Sequence, residues 1–116
     1  MKLSWNVENK AEATYLKVCK DWDLHKANEF SYILNKDPYP GQSIHFVVDL
    51  SDVDYIDSMA LGFLISLKNK YKTEGGQVML FSPSVTIQKI LKQSGLLQIF
   101  PVYYSKEDLD LGLKTL

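Results

Sequence analysis

The sequence has no arginine, so all of its basic residues are lysines. It therefore carries no guanidinium fork to clamp a phosphate or carboxylate in bidentate fashion. Any phosphate site must be built from backbone N–H groups, hydroxyls or lysine. Cys19 is the only cysteine. That excludes an intramolecular disulfide, fits a reducing compartment and, within an alternating apolar run, predicts a buried structural thiol. No apolar run approaches the roughly 20 residues that span a bilayer. Met1 to Lys10 alternates apolar and polar residues, unlike a signal peptide. A cytoplasmic protein with no direct membrane insertion is expected. A net charge of −1 gives no footprint for nucleic acid or anionic lipid. His25 and His45 read as isolated from ligand-spaced cysteines and carboxylates, so no metal site is expected. There is no glycine-rich phosphate loop and no cofactor motif.

What remains is ordinary globular material: 116 residues, 46% apolar and 23% charged. One domain over residues 1–116 is expected. Leu3, Trp5 and Val7 alternate with polar neighbours, as do Thr14, Leu16 and Val18, predicting two strands joined through a short polar connection over 9–12. Asp23 reads as a helix N-cap ahead of Leu24, Ala27, Phe30 and Leu34. Pro38, Pro40 and Gly41 end that helix. Ile44 to Leu50 reads as a central strand buried on both faces. A polar loop over Ser51 to Tyr55 then leads to a helix from Ser58 to Thr73, closed by Gly75 and Gly76.

Met79 and its neighbours predict another buried strand, and strand–helix–strand spacing implies a parallel crossover. Ser82 before Pro83 reads as the cap of the next helix. Gly95 reads as the left-handed residue after it. Val102 to Tyr104 predicts a short edge strand. Ser105 with Asp108 resembles a capping box for a last helix presenting Leu109, Leu113 and Leu116. The fold class is α/β: a mixed, mostly parallel sheet of about four to five strands with about four helices packed on it.

The candidate chemistry is sparse. Asp49, Asp52, Asp54 and Asp57 cluster at the carboxyl end of the central strand, where open α/β sheets place ligands. They lack the glycine of a calcium loop, and a solvated loop with one helix cap accounts for them. Nothing supplies a catalytic constellation, so an enzyme is not expected. Ser58 is the sharper feature. With Asp57 as cap, its hydroxyl stands at the first helical position. A phosphate there would face first-turn N–H groups and the positive end of the helix dipole, with Asp57 and Asp23 opposing it.

Val47-Val48-Asp49-Leu50-Ser51-Asp52-Val53-Asp54-Tyr55-Ile56-Asp57-Ser58-Met59-Ala60-Leu61-Gly62 resembles the signature of STAS domains (sulfate transporter and anti-sigma factor antagonist). Trp22-Asp23 with Ala27, Gly75-Gly76, the Ser82-Pro83-Ser84-Val85 run and Ser94-Gly95-Leu96 follow in family order. The resemblance implies a cytoplasmic anti-sigma factor antagonist, a binding switch. Its implied partners are an anti-sigma factor that is also a serine kinase with a histidine-kinase-like ATP fold, and a metal-dependent serine phosphatase. It implies Ser58 as the phosphate acceptor, and a partner surface of Asp23, Asp57, Ser58, Met59, Ala60, Leu61 and Gly62. A monomer and a homodimer are both compatible with it. The alternative within the family is an unphosphorylated adaptor subunit of a lipid or anion transport complex or of a signalling scaffold. Three departures from the family pattern stand out. Met59 replaces a small residue, Ala60 replaces a glycine and so fills space a partner backbone would use, and Lys20 replaces the glycine two positions before Trp22.

Overall fold

The computed structural model describes residues 5–9, 13–23, 25, 28–29 and 45–116. Five strands form one sheet in the order β1-β2-β3-β4-β5: β1 Trp5–Asn9, β2 Ala13–Trp22, β3 His45–Ile56, β4 Val78–Phe81 and β5 Val102–Tyr103. β1 runs antiparallel to β2, as the short connection requires. The other three pairings are parallel. The helices fully described are α1 Ser58–Thr73, α2 Val85–Gln93 and α3 Lys106–Lys114, with a 3-10 turn over Leu96–Gln98. The helix expected after Asp23 falls mainly outside the described residues; within it His25, Asn28 and Glu29 are helical.

Strand alternation sorts the side chains into two layers. Leu16 and Val18 of β2, Phe46, Val48 and Leu50 of β3, and Leu80 of β4 face α1 and α2, which contribute Phe63, Leu64, Leu67, Tyr71, Ile87 and Leu91. Ala13, Val47 and Met79 face the other way, under Leu109 and Leu113 of α3. The sheet is thus covered on both faces, as parallel sheets require.

Local backbone physics closes the elements. Gly75 takes φ +84° beyond α1, and Gly76 donates to the Tyr71 carbonyl at 2.8 Å, satisfying an end-of-helix acceptor. Gly95 takes φ +81°. Ser105 Oγ accepts from the Asp108 N–H at 3.1 Å at the start of α3.

Four expectations are corrected. The central strand does not stop at Leu50: β3 runs to Ile56, because β2 pairs with it as far as Trp22↔Ile56 through two register shifts. The cap of α2 is Ser84, whose Oγ accepts from Ile87 N–H at 3.2 Å, not Ser82. The Ser82 N–H donates instead to the Tyr103 carbonyl at 2.7 Å, at the end of β4. Leu116 is exposed and lies beyond α3. Cys19 is half-buried rather than buried, because it sits at the first shift, opposite exposed Asp52.

Lys20 sits between these shifts with φ +63°. A Cβ clashes with the backbone there, at a cost of about 1–2 kcal/mol relative to the right-handed region. Glycine occupies this region freely, which gives a physical reason for the glycine of the family pattern. Lys20→Gly is expected to stabilise the domain by about 1 kcal/mol, read as a rise in the urea midpoint with an unchanged slope. An unchanged or lowered midpoint would contradict the strain.

Candidate functional site

The carboxyl ends of β2 and β3 meet the start of α1. Trp22 is the last residue of β2 and Ile56 the last of β3, and they are partners in the sheet. Asp57 N–H then donates to the Trp22 carbonyl at 3.1 Å. This bond ties the turn before α1 to the end of β2, so Asp23 and Asp57 both follow the final rung. Asp57 is extended (φ −98°, ψ 176°) and caps α1. Its Oδ1 accepts from Ala60 N–H at 2.9 Å, and its carbonyl accepts from Leu61 N–H at 3.1 Å. That leaves the N–H groups of Ser58 and Met59 without an acceptor among the described residues, which is the usual state of a first helical turn. Beneath the turn, Trp22 is fully buried and meets Phe63 edge-to-face at 5.7 Å between ring centroids.

Ser58 is exposed, and its hydroxyl makes no hydrogen bond to protein among the described residues. Met59 is 52% exposed, Gly62 is exposed, and Asp23, Asp57 and Leu61 are partly exposed. Ala60 departs from expectation: its side chain is 0% exposed and belongs to the core. Its methyl therefore cannot fill space at a partner surface. The reason is periodicity. Once Asp57 caps the helix, positions 60, 63, 64, 67 and 71 point to the sheet together.

Two exposed apolar residues at this end escaped the sequence reading. Ile65 is two helical turns from Ser58 and 40% exposed; the i, i+7 spacing from Ser58 could have revealed it. Tyr55 is 52% exposed on the part of β3 that reads as a loop. The outer face of α1 thus runs through Ser58, Met59, Gly62 and Ile65. An added Cβ at Gly62 would meet nothing within 4 Å, so packing inside this chain does not require a glycine there. Glycine in a helix interior costs about 1 kcal/mol relative to alanine.

The acidic residues disperse. Asp49 Oδ1 accepts from the Ser51 N–H at 2.9 Å and hydroxyl at 2.6 Å. Asp52 pairs with Lys17 at 3.2 Å. The hydrogen bond to Asp52, then the charges of Asp52 and Asp49, hold the Lys17 ammonium above its ordinary range. Asp54 is exposed and Asp57 is the cap. No group of three His, Cys, Asp or Glu among the described residues could hold a metal. His45 Nδ1 accepts from the Gln77 N–H at 3.2 Å, a hydrogen-bonded structural role. His25 is not isolated: its Nε2 lies 3.0 Å from Glu29 Oε1, one turn on, at the surface. No described helix is long and apolar enough to cross a membrane.

Comparison with known proteins agrees with this geometry. The family model described as the STAS domain matches residues 4–109. The anti-sigma F factor antagonist of Paenibacillus polymyxa is 21% identical over 103 residues, covering 89% of this chain and 88% of its own length. Among solved structures, a Thermotoga maritima protein provisionally named an anti-sigma factor antagonist superposes with a TM-score of 0.80 at 22% identity, covering 95% of this chain and 94% of that one. The phosphorylated form of the Bacillus cell fate determinant SpoIIAA superposes with a TM-score of 0.71 at 18% identity, covering 91% of this chain and 96% of that one.

Proposed function

Because the chain belongs to the STAS domain family, a family of binding proteins rather than enzymes, we propose that it is a cytoplasmic anti-sigma factor antagonist switched by phosphorylation of Ser58. In this reading the unphosphorylated protein docks on an anti-sigma factor that is also a serine kinase with a histidine-kinase-like ATP fold. The kinase phosphorylates Ser58, the docked face is lost, and a metal-dependent serine phosphatase restores it. The docking face comprises Asp23, Asp57, Ser58, Met59, Leu61 and Gly62, extended by Ile65 and Tyr55. Ala60 supports it from beneath.

The observation that carries the reading is the state of Ser58: an exposed hydroxyl at the first position of α1, beside Ser58 and Met59 N–H groups that have no acceptor among the described residues. An anion there is favoured by the helix dipole, by about 0.3–1 kcal/mol at an exposed site. Phosphorylation therefore leaves the fold intact while adding about −1.5 to −2 charges to the face. The open space at Gly62 supports the same reading, since a helix glycine with nothing above it lets a partner backbone come close. Met59 suits adaptable apolar contact.

The test is incubation of wild type and Ser58→Ala with ATP and the anti-sigma kinase of the source organism, followed by intact-mass measurement. One phosphate on wild type and none on the variant is expected. No phosphate on either, with the kinase active on a control substrate, would remove the switch and favour an unphosphorylated STAS adaptor using the same face.

A further inference from the structure

The far end of α1 carries a second feature, independent of the Ser58 reading. Lys68, Lys72, Gly76, Gln77, Val78, Ile99 and Pro101 line an open cavity of about 330 Å³, within the usual size of small-molecule sites. Lys68 and Lys72 lie one helical turn apart, so their ammonium groups reach the same side. Neither forms an ion pair among the described residues, and no carboxylate is among the described lining residues. Along the helix axis the two lysines stand about 15–21 Å from Ser58 at ~1.5 Å per residue.

The walls of this cavity are fixed. The Gln77 N–H donates to His45 Nδ1 at 3.2 Å, and its carbonyl accepts from Phe46 N–H at 2.9 Å. Gly76 N–H is held by the Tyr71 carbonyl at 2.8 Å. The rest of the lining is apolar, and Ile99 is left 44% exposed at it. A second cavity, on the α3 side of the sheet, differs in charge. Its lysines are already matched: Lys17 pairs with Asp52 at 3.2 Å and Lys106 with Asp110 at 3.2 Å, and Glu8 and Asp49 line it too. Of these two cavities, the one at the end of α1 combines positive charge unpaired among the described residues with an apolar wall.

We propose that this cavity binds a small amphipathic carboxylate, its anionic head between Lys68 and Lys72 and its apolar body on Val78, Ile99 and Pro101. A carboxylate supplies the missing counter-charge, and an aliphatic body covers the exposed Ile99. A preformed wall reduces the ordering cost of binding. A bare anion gains only the first part and a hydrocarbon amine meets like charge.

The test is a titration with sodium octanoate followed by backbone amide NMR, with sodium phosphate and octylammonium as comparison probes. Octanoate is expected to give saturable shifts centred on Gly76, Gln77 and Ile99, with phosphate and octylammonium markedly weaker. Lys68→Gln with Lys72→Gln is expected to weaken octanoate by about tenfold or more, the scale of losing charge-assisted hydrogen bonds. Both lysines project from the helix surface, and an unchanged amide spectrum away from the cavity verifies that the double variant folds. Lys89→Gln, on α2, should bind as wild type does. The proposal is overturned if octanoate produces no saturable shifts at these amides, if phosphate or octylammonium binds equally well, or if the double variant binds as tightly as wild type. A shift pattern centred on Ser58 to Gly62 would also overturn it, by moving the ligand to the other end of the helix.

Discussion

Trp22→Ala is expected to cost about 3–5 kcal/mol of folding stability, the range for truncating a fully buried large aromatic. Trp22 is 0% exposed and sits where three features meet. Its ring packs edge-to-face on Phe63 of α1. Its backbone pairs with Ile56, and its carbonyl holds the Asp57 N–H. Alanine keeps the backbone bonds and leaves a cavity under the first turns of α1. The surroundings are β-sheet on one side and helix on the other, so little collapse can fill it. Against a typical domain stability of about 5–15 kcal/mol, such a loss brings the variant close to unfolding at ordinary temperature. Urea denaturation measures it. Tyr55→Ala, at an exposed position beside it, should stay within about 0.5 kcal/mol of wild type. A Trp22→Ala cost under about 1 kcal/mol would mean that the α1 start is not anchored as described.

Ser58→Asp is expected to leave the fold intact and to weaken binding to the anti-sigma factor by about a hundredfold or more. The fold survives because a carboxylate at the first position of a helix is favoured by its dipole, and the side chain points to solvent. Binding is lost because the new charge stands among Met59, Gly62 and Ile65, an apolar face whose docking would strip its water. A buried charge without a partner costs several kcal/mol, and a factor of one hundred needs only about 2.7 kcal/mol. Ser58→Ala should bind nearly as wild type does, since the hydroxyl has no protein partner to lose among the described residues. That pair of variants separates the effect of charge from the effect of altering the residue.

Much of this arrangement is legible in the sequence because local physics fixes it. Asp57 as cap, Gly75 and Gly76 as the close of α1, Gly95 as the left-handed residue after α2, and Ser105 as the cap of α3 follow from the demands of helix ends alone. Alternation in β2 and the continuous apolar run in the first half of β3 place the core. Several misreadings depend on a distant partner. Ser51 to Ile56 carries polar residues suited to a loop, yet β2 extends beside it and makes it strand. Ser82 and Ser84 flank the same proline; the Ser82 N–H pairs with the Tyr103 carbonyl at the end of β4, and Ser84 is the residue whose hydroxyl reaches the Ile87 N–H. The left-handed backbone at Lys20 has no local signature at all, since lysine does not favour it. Ala60 is different. Its burial follows from the helical period once Asp57 is the cap, whereas the glycine of the family pattern says nothing of which face it occupies.

In the proposed switch, phosphate on Ser58 removes the docking face. The most direct measurement is a calorimetric titration of the anti-sigma factor with this protein, before and after stoichiometric phosphorylation by the kinase. Tight binding is expected before and a loss of about a hundredfold or more after, with unchanged circular dichroism. Equal affinity in the two states would contradict it.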